Sequence, residues 1–118
     1  MRDVTQRGKK AYTQLELVLH MHGAFRRSLE PIRVTPLQAG VLLFLRRREK
    51  PTVEDAAVAF LVRSSTMSVV VTDLAHKGWV IKQRAQQDGR ALCLRLSQQG
   101  ERLAGMIMDH IRDVKKDL

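Results

Sequence analysis

Aromatic rings, cysteine and acidic side chains are scarce in this sequence, and each shortage closes off a class of function. Aromatic residues make up 4% of the 118, too few for the stacking platforms that hold single strands and RNA loops. Cys93 is the only cysteine, which excludes a disulfide framework within the chain and suits a reducing cytoplasm. No apolar run approaches the roughly 20 residues that cross a bilayer. The polar opening MRDVTQRGKK leads into no apolar segment of the secretory kind. A basic amphipathic helix of the sort that lies on anionic membranes is also missing, so no membrane partner is expected. Internal repeats, low-complexity segments and Gly-, Ser- or Pro-rich linkers are absent too, which leaves one domain over residues 1–118.

The chain also lacks the signatures of catalysis. It has no Gly-rich phosphate loop, no GxSxG, no HExxH and no cysteine–histidine pairing in a sensible context. Glu54 and Asp55 are adjacent where a helix begins, and acidic residues there complement the helix dipole. His20 and His22 are two positions apart, a spacing that does not share a helical face. Neither an enzyme nor a metal or cofactor site is expected. Cys93 lies in an alternating, strand-like run and reads as a packed thiol, and the five methionines read as core filler.

Positive charge is abundant instead. Lys plus Arg number 21 against 12 Asp plus Glu, a formal net charge of +9, which favours a polyanionic partner, nucleic acid above all. Hydrophobic content of 44% and charged content of 28% are those of an ordinary globular domain.

The expected elements follow from periodicity and punctuation. A first helix begins within residues 3–10 and ends before Pro31, with Tyr12, Leu15, Val18, Leu19, His22, Phe25 and Leu29 as an apolar stripe. Thr35-Pro36-Leu37-Gln38 combines a cap, a first-turn proline and a capping-box glutamine, so a second helix starts there. It buries Leu37, Val41, Phe44 and Leu45, and it ends in the basic run Arg46–Lys50, a solvated helix end before Pro51. Thr52 caps a third helix with Asp55 as its reciprocal partner; Ala56, Ala57 and Ala59 keep it slender, while Val53, Phe60 and Leu61 pack. Ser64 caps a fourth helix that Gly78 ends. On a wheel of about 100° per residue, Met67, Val70, Val71 and Leu74 share one face. Ser65, Val69, Thr72 and His76 share the other, with Ser68 beside them. Small hydroxyls and a methyl-rich side chain match a surface of hydrogen-bonding groups and methyls, such as the DNA major groove. Residues 79–84 and 91–96 alternate as two strands around Gln86-Gln87-Asp88-Gly89, where Gly89 permits a positive φ. Leu92, Leu94 and Leu96 share one face of the second strand. Ser97 opens a last helix with Leu103, Ile107, Ile111, Val114 and Leu118 as its stripe. From Arg63 to Arg95 six basic side chains stand against two acidic ones.

TPLQAGVLLFL, TVEDAAVAFLVRSSTMSVVVTDLAHKGWV, DGR and LSQQG, in that order, resemble the MarR family of winged helix-turn-helix regulators over nearly the whole chain. The resemblance implies a mostly α fold with a small β-hairpin, in which residues 35–96 bind DNA and residues 1–30 and 97–118 are dimerisation helices. It implies a homodimer that regulates transcription, as a repressor, on a pseudo-palindromic duplex. Ser64, Ser65, Thr66 and Ser68 correspond to the base- and phosphate-contacting start of the recognition helix, Arg90 to the wing arginine, and Asp88 to the acidic residue that fixes the wing turn. Val69 stands where many members carry a basic residue, so groove binding leans on methyl contact. The sequence stops about one helix earlier than typical members. Specificity is assigned to Ser65, Ser68, Val69 and Thr72, and affinity to Arg63, Lys82, Arg84 and Arg90. A small-molecule effector pocket, lined by Tyr12, His22 and Phe25, is a further implication, although these residues serve equally well as interface core. The alternative is a winged-helix protein-interaction module that has lost DNA binding, to which Val69 and the early end both point.

Overall fold

Three hydroxyl side chains set where the helices begin. Thr35 Oγ1 accepts from the Gln38 amide at 3.1 Å while Gln38 Oε1 accepts from the Thr35 amide at 3.0 Å. Thr52 and Asp55 make the same reciprocal pair at 3.1 and 2.9 Å. Ser97 Oγ accepts from the Gly100 amide at 3.0 Å and donates to the Gly78 carbonyl at 2.6 Å, so one hydroxyl caps a helix and ties it to the preceding turn. The computed structural model describes residues 2–84 and 92–117, with side chains for 13–84 and 92–114. In chain order these form α1 (Arg2–Leu29), a 3₁₀ turn (Glu30–Ile32), α2 (Pro36–Arg47), α3 (Val53–Ala59), α4 (Ser64–His76), β1 (Val80–Arg84), β2 (Leu92–Leu96), α5 (Gln98–Ile111) and a closing 3₁₀ stretch (Arg112–Asp117). The strands pair antiparallel from Val80 with Leu96 to Arg84 with Leu92. The mostly helical fold with one hairpin is the one expected.

The core lies where α2, α4, α5 and β2 converge. Leu42, Met67, Val71, Leu74, Leu94 and Ile107 are fully buried there. Phe44 meets Phe60 edge-on, ring centroids 5.9 Å apart. Ala56 and Ala57 are buried, and their small side chains let α4 pack close to α3. Gly100 begins α5 directly against the hairpin: a Cβ there would sit 2.1 Å from the Trp79 carbonyl oxygen.

Two local expectations need correction. Ser64 is the first helical residue of α4, not its cap. Arg63 holds the cap position in an extended conformation without a side-chain cap bond, because its carbonyl already accepts from the Met67 amide at 2.9 Å. Leu61 does not pack. It is 93% exposed with φ +53°, since the chain reverses through a left-handed residue after α3. There the Val62 amide donates to the Ala57 carbonyl at 3.0 Å and the Leu61 amide to Val58 at 3.2 Å. That reversal bends α3 against α4 by 115°. On β2, Leu94 and Leu96 are buried but Leu92 is exposed, as the strand runs outward beyond the core. Residues 91 and 118, expected in a strand and in an apolar stripe, lie outside the described residues.

α1 spans 28 residues, about 42 Å at 1.5 Å per residue. Only its end joins the core, through Leu29 and Phe25. Farther back the stripe is bare, with Val18 and Leu19 each 61% exposed and Leu15 also exposed. Met106 and Met108 of α5 are exposed as well. The Ser28 hydroxyl donates to the His110 carbonyl and ties α1 to α5. Among the described residues no single helix is long and apolar enough to cross a membrane.

Two substitutions check the backbone argument by chemical denaturation. Leu61→Gly is expected to stabilise the fold by about 0.5–1 kcal/mol by relieving the left-handed leucine. Gly100→Ala is expected to destabilise it by about 1–3 kcal/mol through overpacking on Trp79. A destabilised Leu61→Gly protein would show that Leu61 makes contacts in the folded state that offset its strain.

Candidate nucleic-acid interface

α4 is laid down on its apolar side, and everything it presents outward follows. Met67, Val71 and Leu74 are fully buried and Val70 is partly so. Ser64, Ser65, Thr66, Ser68, Val69 and His76 are exposed, Val69 to 70%. Arg63 is exposed at the entry to the helix. The outward face has four hydroxyl side chains and one isopropyl group before its first charge, so it can approach a groove floor without burying an unpaired ion.

Charge lies around this face rather than on it. Lys82 and Arg84 are exposed on β1. Arg95 on β2 donates to Gln83 Oε1 at 3.2 Å. Lys77 ends α4, 3.3 Å from the Asp73 carboxylate and 5.2 Å from the Trp79 ring centroid. The basic run that closes α2 is partly engaged by the protein itself, with Arg46 3.7 Å from Glu101 and Arg48 5.3 Å from the Phe44 ring centroid. Arg90, Asp88 and Gly89 lie outside the described residues.

The structure adds a contact that local spacing does not reveal. Lys82 Nζ donates to Thr72 Oγ1 at 2.9 Å. The turn at Gly78, φ +81°, folds β1 back along α4, and Thr72 is half-buried against it. Thr72 and Lys82, assigned separately to base reading and phosphate contact, are therefore partners.

A family model of the MarR family matches residues 34–91. This covers α2, α3, α4 and the first strand of the hairpin. The chain belongs to the MarR family. It is a DNA-binding transcription regulator, and the family is not one of enzymes. Solved structures carry the same fold at low identity. Wild-type apo MarR from E. coli superposes with a TM-score of 0.81 at 18% identity, covering 92% of this chain and 84% of that one. CouR from Rhodococcus jostii, bound to p-coumaroyl-CoA, gives 0.82 at 17%, covering 88% and 73%. Bordetella bronchiseptica BpsR, whose DNA binding is regulated by 6-hydroxynicotinic acid, gives 0.80 at 16%, covering 91% and 76%. Among curated proteins none matches this chain.

In this MarR-family chain two open clefts flank the end of α1. One, of about 770 Å³, is lined by His22, Arg26, Arg27, Glu30, Arg33 and the start of α2. The other, of about 720 Å³, lies between α1 and α5 beside His20, Ser28, His110 and Asp113. Of the three residues expected to line an effector pocket, His22 borders the first of these clefts. Phe25 packs on the core instead, and the Tyr12 side chain lies outside those described. In sequence the three arginines are only a basic last turn of α1 followed by a further arginine, Arg33; the left-handed backbone of Arg33, φ +57°, is visible only in the fold. His20 and His22 line different clefts, and no group of three or more His, Cys, Asp or Glu converges among the described residues. Cys93 is half-buried, opposite Gln83 in the hairpin and bridged to Thr52.

The Thr72–Lys82 pair makes a testable unit. Thr72→Val keeps the branched shape and deletes the hydroxyl, and Lys82→Met keeps the stem and deletes the charge. Titration of duplex DNA should show that Lys82→Met weakens binding and that Thr72→Val weakens it less. The double variant should lose no more than Lys82→Met alone, because the pair acts as one. Fully additive losses would mean that the two side chains act separately.

Proposed function

We propose that this regulator is a cytoplasmic homodimeric repressor that occupies a pseudo-palindromic operator and is released by a small anionic effector. The observation that carries the reading is the pairing of an uncharged, exposed recognition face on α4 with a bare apolar stripe on α1. Among the described residues Leu15, Val18 and Leu19 of the stripe are exposed, and exposed apolar patches of this kind mark association surfaces. Two-fold pairing through α1 and α5 duplicates α4. Two recognition helices about 34 Å apart, one turn of duplex, favour an inverted repeat. In this reading Ser64, Ser65, Thr66 and Ser68 contact bases and nearby phosphates, Val69 meets a thymine methyl, and Arg63, Lys82, Arg84 and Arg90 supply affinity along the backbone and in the minor groove. Occupancy of the operator excludes polymerase. Arg26, Arg27 and Arg33 around one cleft suit a carboxylate or phosphate group, and the small-molecule partners of CouR and BpsR support an effector of that kind.

A second reading, a winged-helix module that binds protein, has its own observation. Val58, Leu61 and Val69 leave three exposed apolar side chains on the helix-turn-helix.

Selection from random duplex DNA at about 150 mM salt, where non-specific binding is already weak, separates the two. Enrichment of an inverted repeat with half-sites about one turn apart is expected. If the dimer makes on the order of 6–10 phosphate contacts, affinity for that repeat should fall about 10³–10⁵-fold between about 50 and 200 mM salt. A folded protein that enriches no sequence would overturn the repressor reading in favour of the protein-binding one.

A further inference from the structure

The side chain that closes the capping box of α2 does a second job. Gln38 Oε1 accepts from the Thr35 amide at 3.0 Å, and its Nε2 donates to Asp73 Oδ2 at 3.1 Å. Asp73 sits in the last turn of α4, and the same Oδ2 faces Lys77 Nζ at 3.3 Å. Lys77 in turn lies over the Trp79 ring at the root of the hairpin. A continuous polar relay therefore runs from the start of α2, across α4, to the wing. Thr35 and the residues beside it also wall the arginine-lined cleft.

We propose that Gln38 is a positioning residue for the recognition helix, fixing the roll of α4 on α2 through Asp73 and so setting which side chains meet the groove. This rests on the reading of α4 as the helix that meets DNA. The burial of Met67, Val71 and Leu74 sets the depth of α4 and which face is inward, but apolar contact is non-directional. A directional hydrogen bond on the exposed flank of the helix resists a small roll. One amide side chain links two elements because it has both an acceptor and a donor: the acceptor is spent on its own helix, and the donor reaches the other.

That division allows a selective test. Gln38→Glu keeps the oxygen that caps α2, since glutamate serves equally in a capping box, but it sets a second carboxylate against Asp73. Asp73→Asn in the Gln38→Glu background supplies an amide donor and restores the link in the opposite sense. Amide hydrogen exchange on the full chain reads the placement of α4 without any DNA. In Gln38→Glu, exchange in the last turns of α4 should quicken about threefold to tenfold, the net worth of such a bond, while α5 stays unchanged. The double variant should return to the wild-type rate. The duplex most enriched by the wild-type protein from a random pool, competed against the pool itself, gives the second readout. Selectivity should fall by a similar factor in Gln38→Glu and recover in the double variant. Unchanged exchange in Gln38→Glu, equal quickening of α4 and α5, or failure of Asp73→Asn to rescue would each overturn the proposal. Failure of the wild-type protein to enrich any duplex would instead sink the DNA reading, and the exchange measurement would still decide the role of Gln38.

Discussion

The burial of Met67, Val71 and Leu74 selects which face of α4 turns inward, to within the small roll left to its polar contacts, and with it the chemistry the protein shows to the outside. These side chains are fully excluded from solvent, and exposing any one of them would forfeit on the order of 1.5–3 kcal/mol. The helical period then leaves no choice: with positions 67, 71 and 74 inward, Ser65, Ser68 and Val69 point outward. The rest of the fold supports that packing. α3 approaches closely because its facing residues are alanines. The left-handed turn at Leu61 sets the 115° bend between α3 and α4. Gly100 lets α5 start against the hairpin root without displacing it.

The polar contacts are fewer and shallower, and they act on direction more than on stability. Thr72 with Lys82 and Gln38 with Asp73 are made by exposed or half-buried groups, where a hydrogen bond contributes about 0.5–1.5 kcal/mol. Their placement is what matters. One joins the recognition helix to the wing, and the other joins it to the helix whose start walls the arginine cleft. Positive charge likewise surrounds the outward face of α4 and leaves its centre neutral. In the proposed complex, phosphate contact at the edges would supply affinity without sequence information, and the hydroxyls and the valine at the centre would meet base edges.

How much of this was readable in the chain depends on the range of each interaction. The capping boxes at Thr35 and Thr52 are contacts between residues three apart, so the letters alone place them, and both form. The buried face of α4 follows from helical period, and it too forms. The helix-turn-helix reversal shows the limit: leucine is a poor marker for a left-handed turn, so Leu61 read as core, and the start of α4 fell one residue late. Leu92 shares a face with Leu94 and Leu96 yet is exposed, since strand alternation says which residues share a face but not where the body beneath that face ends. Gln38 with Asp73 and Thr72 with Lys82 join residues far apart in sequence through side-chain geometry that no local pattern encodes. The arginine cleft was hidden likewise, because Arg26, Arg27 and Arg33 converge only once the chain turns after α1.

The central claim is that an uncharged face of the recognition helix reads DNA through hydroxyls and one apolar side chain. The most direct measurement compares the enriched duplex with the same duplex carrying uracil in place of each half-site thymine, titrated with the wild-type protein and with Val69→Ala. Removing the methyl that Val69 is proposed to meet should weaken wild-type binding by about 0.8 kcal/mol per half-site, and it should cost the Val69→Ala protein much less. Equal losses in the two proteins would contradict the account, because the methyl would then be read by some group other than Val69.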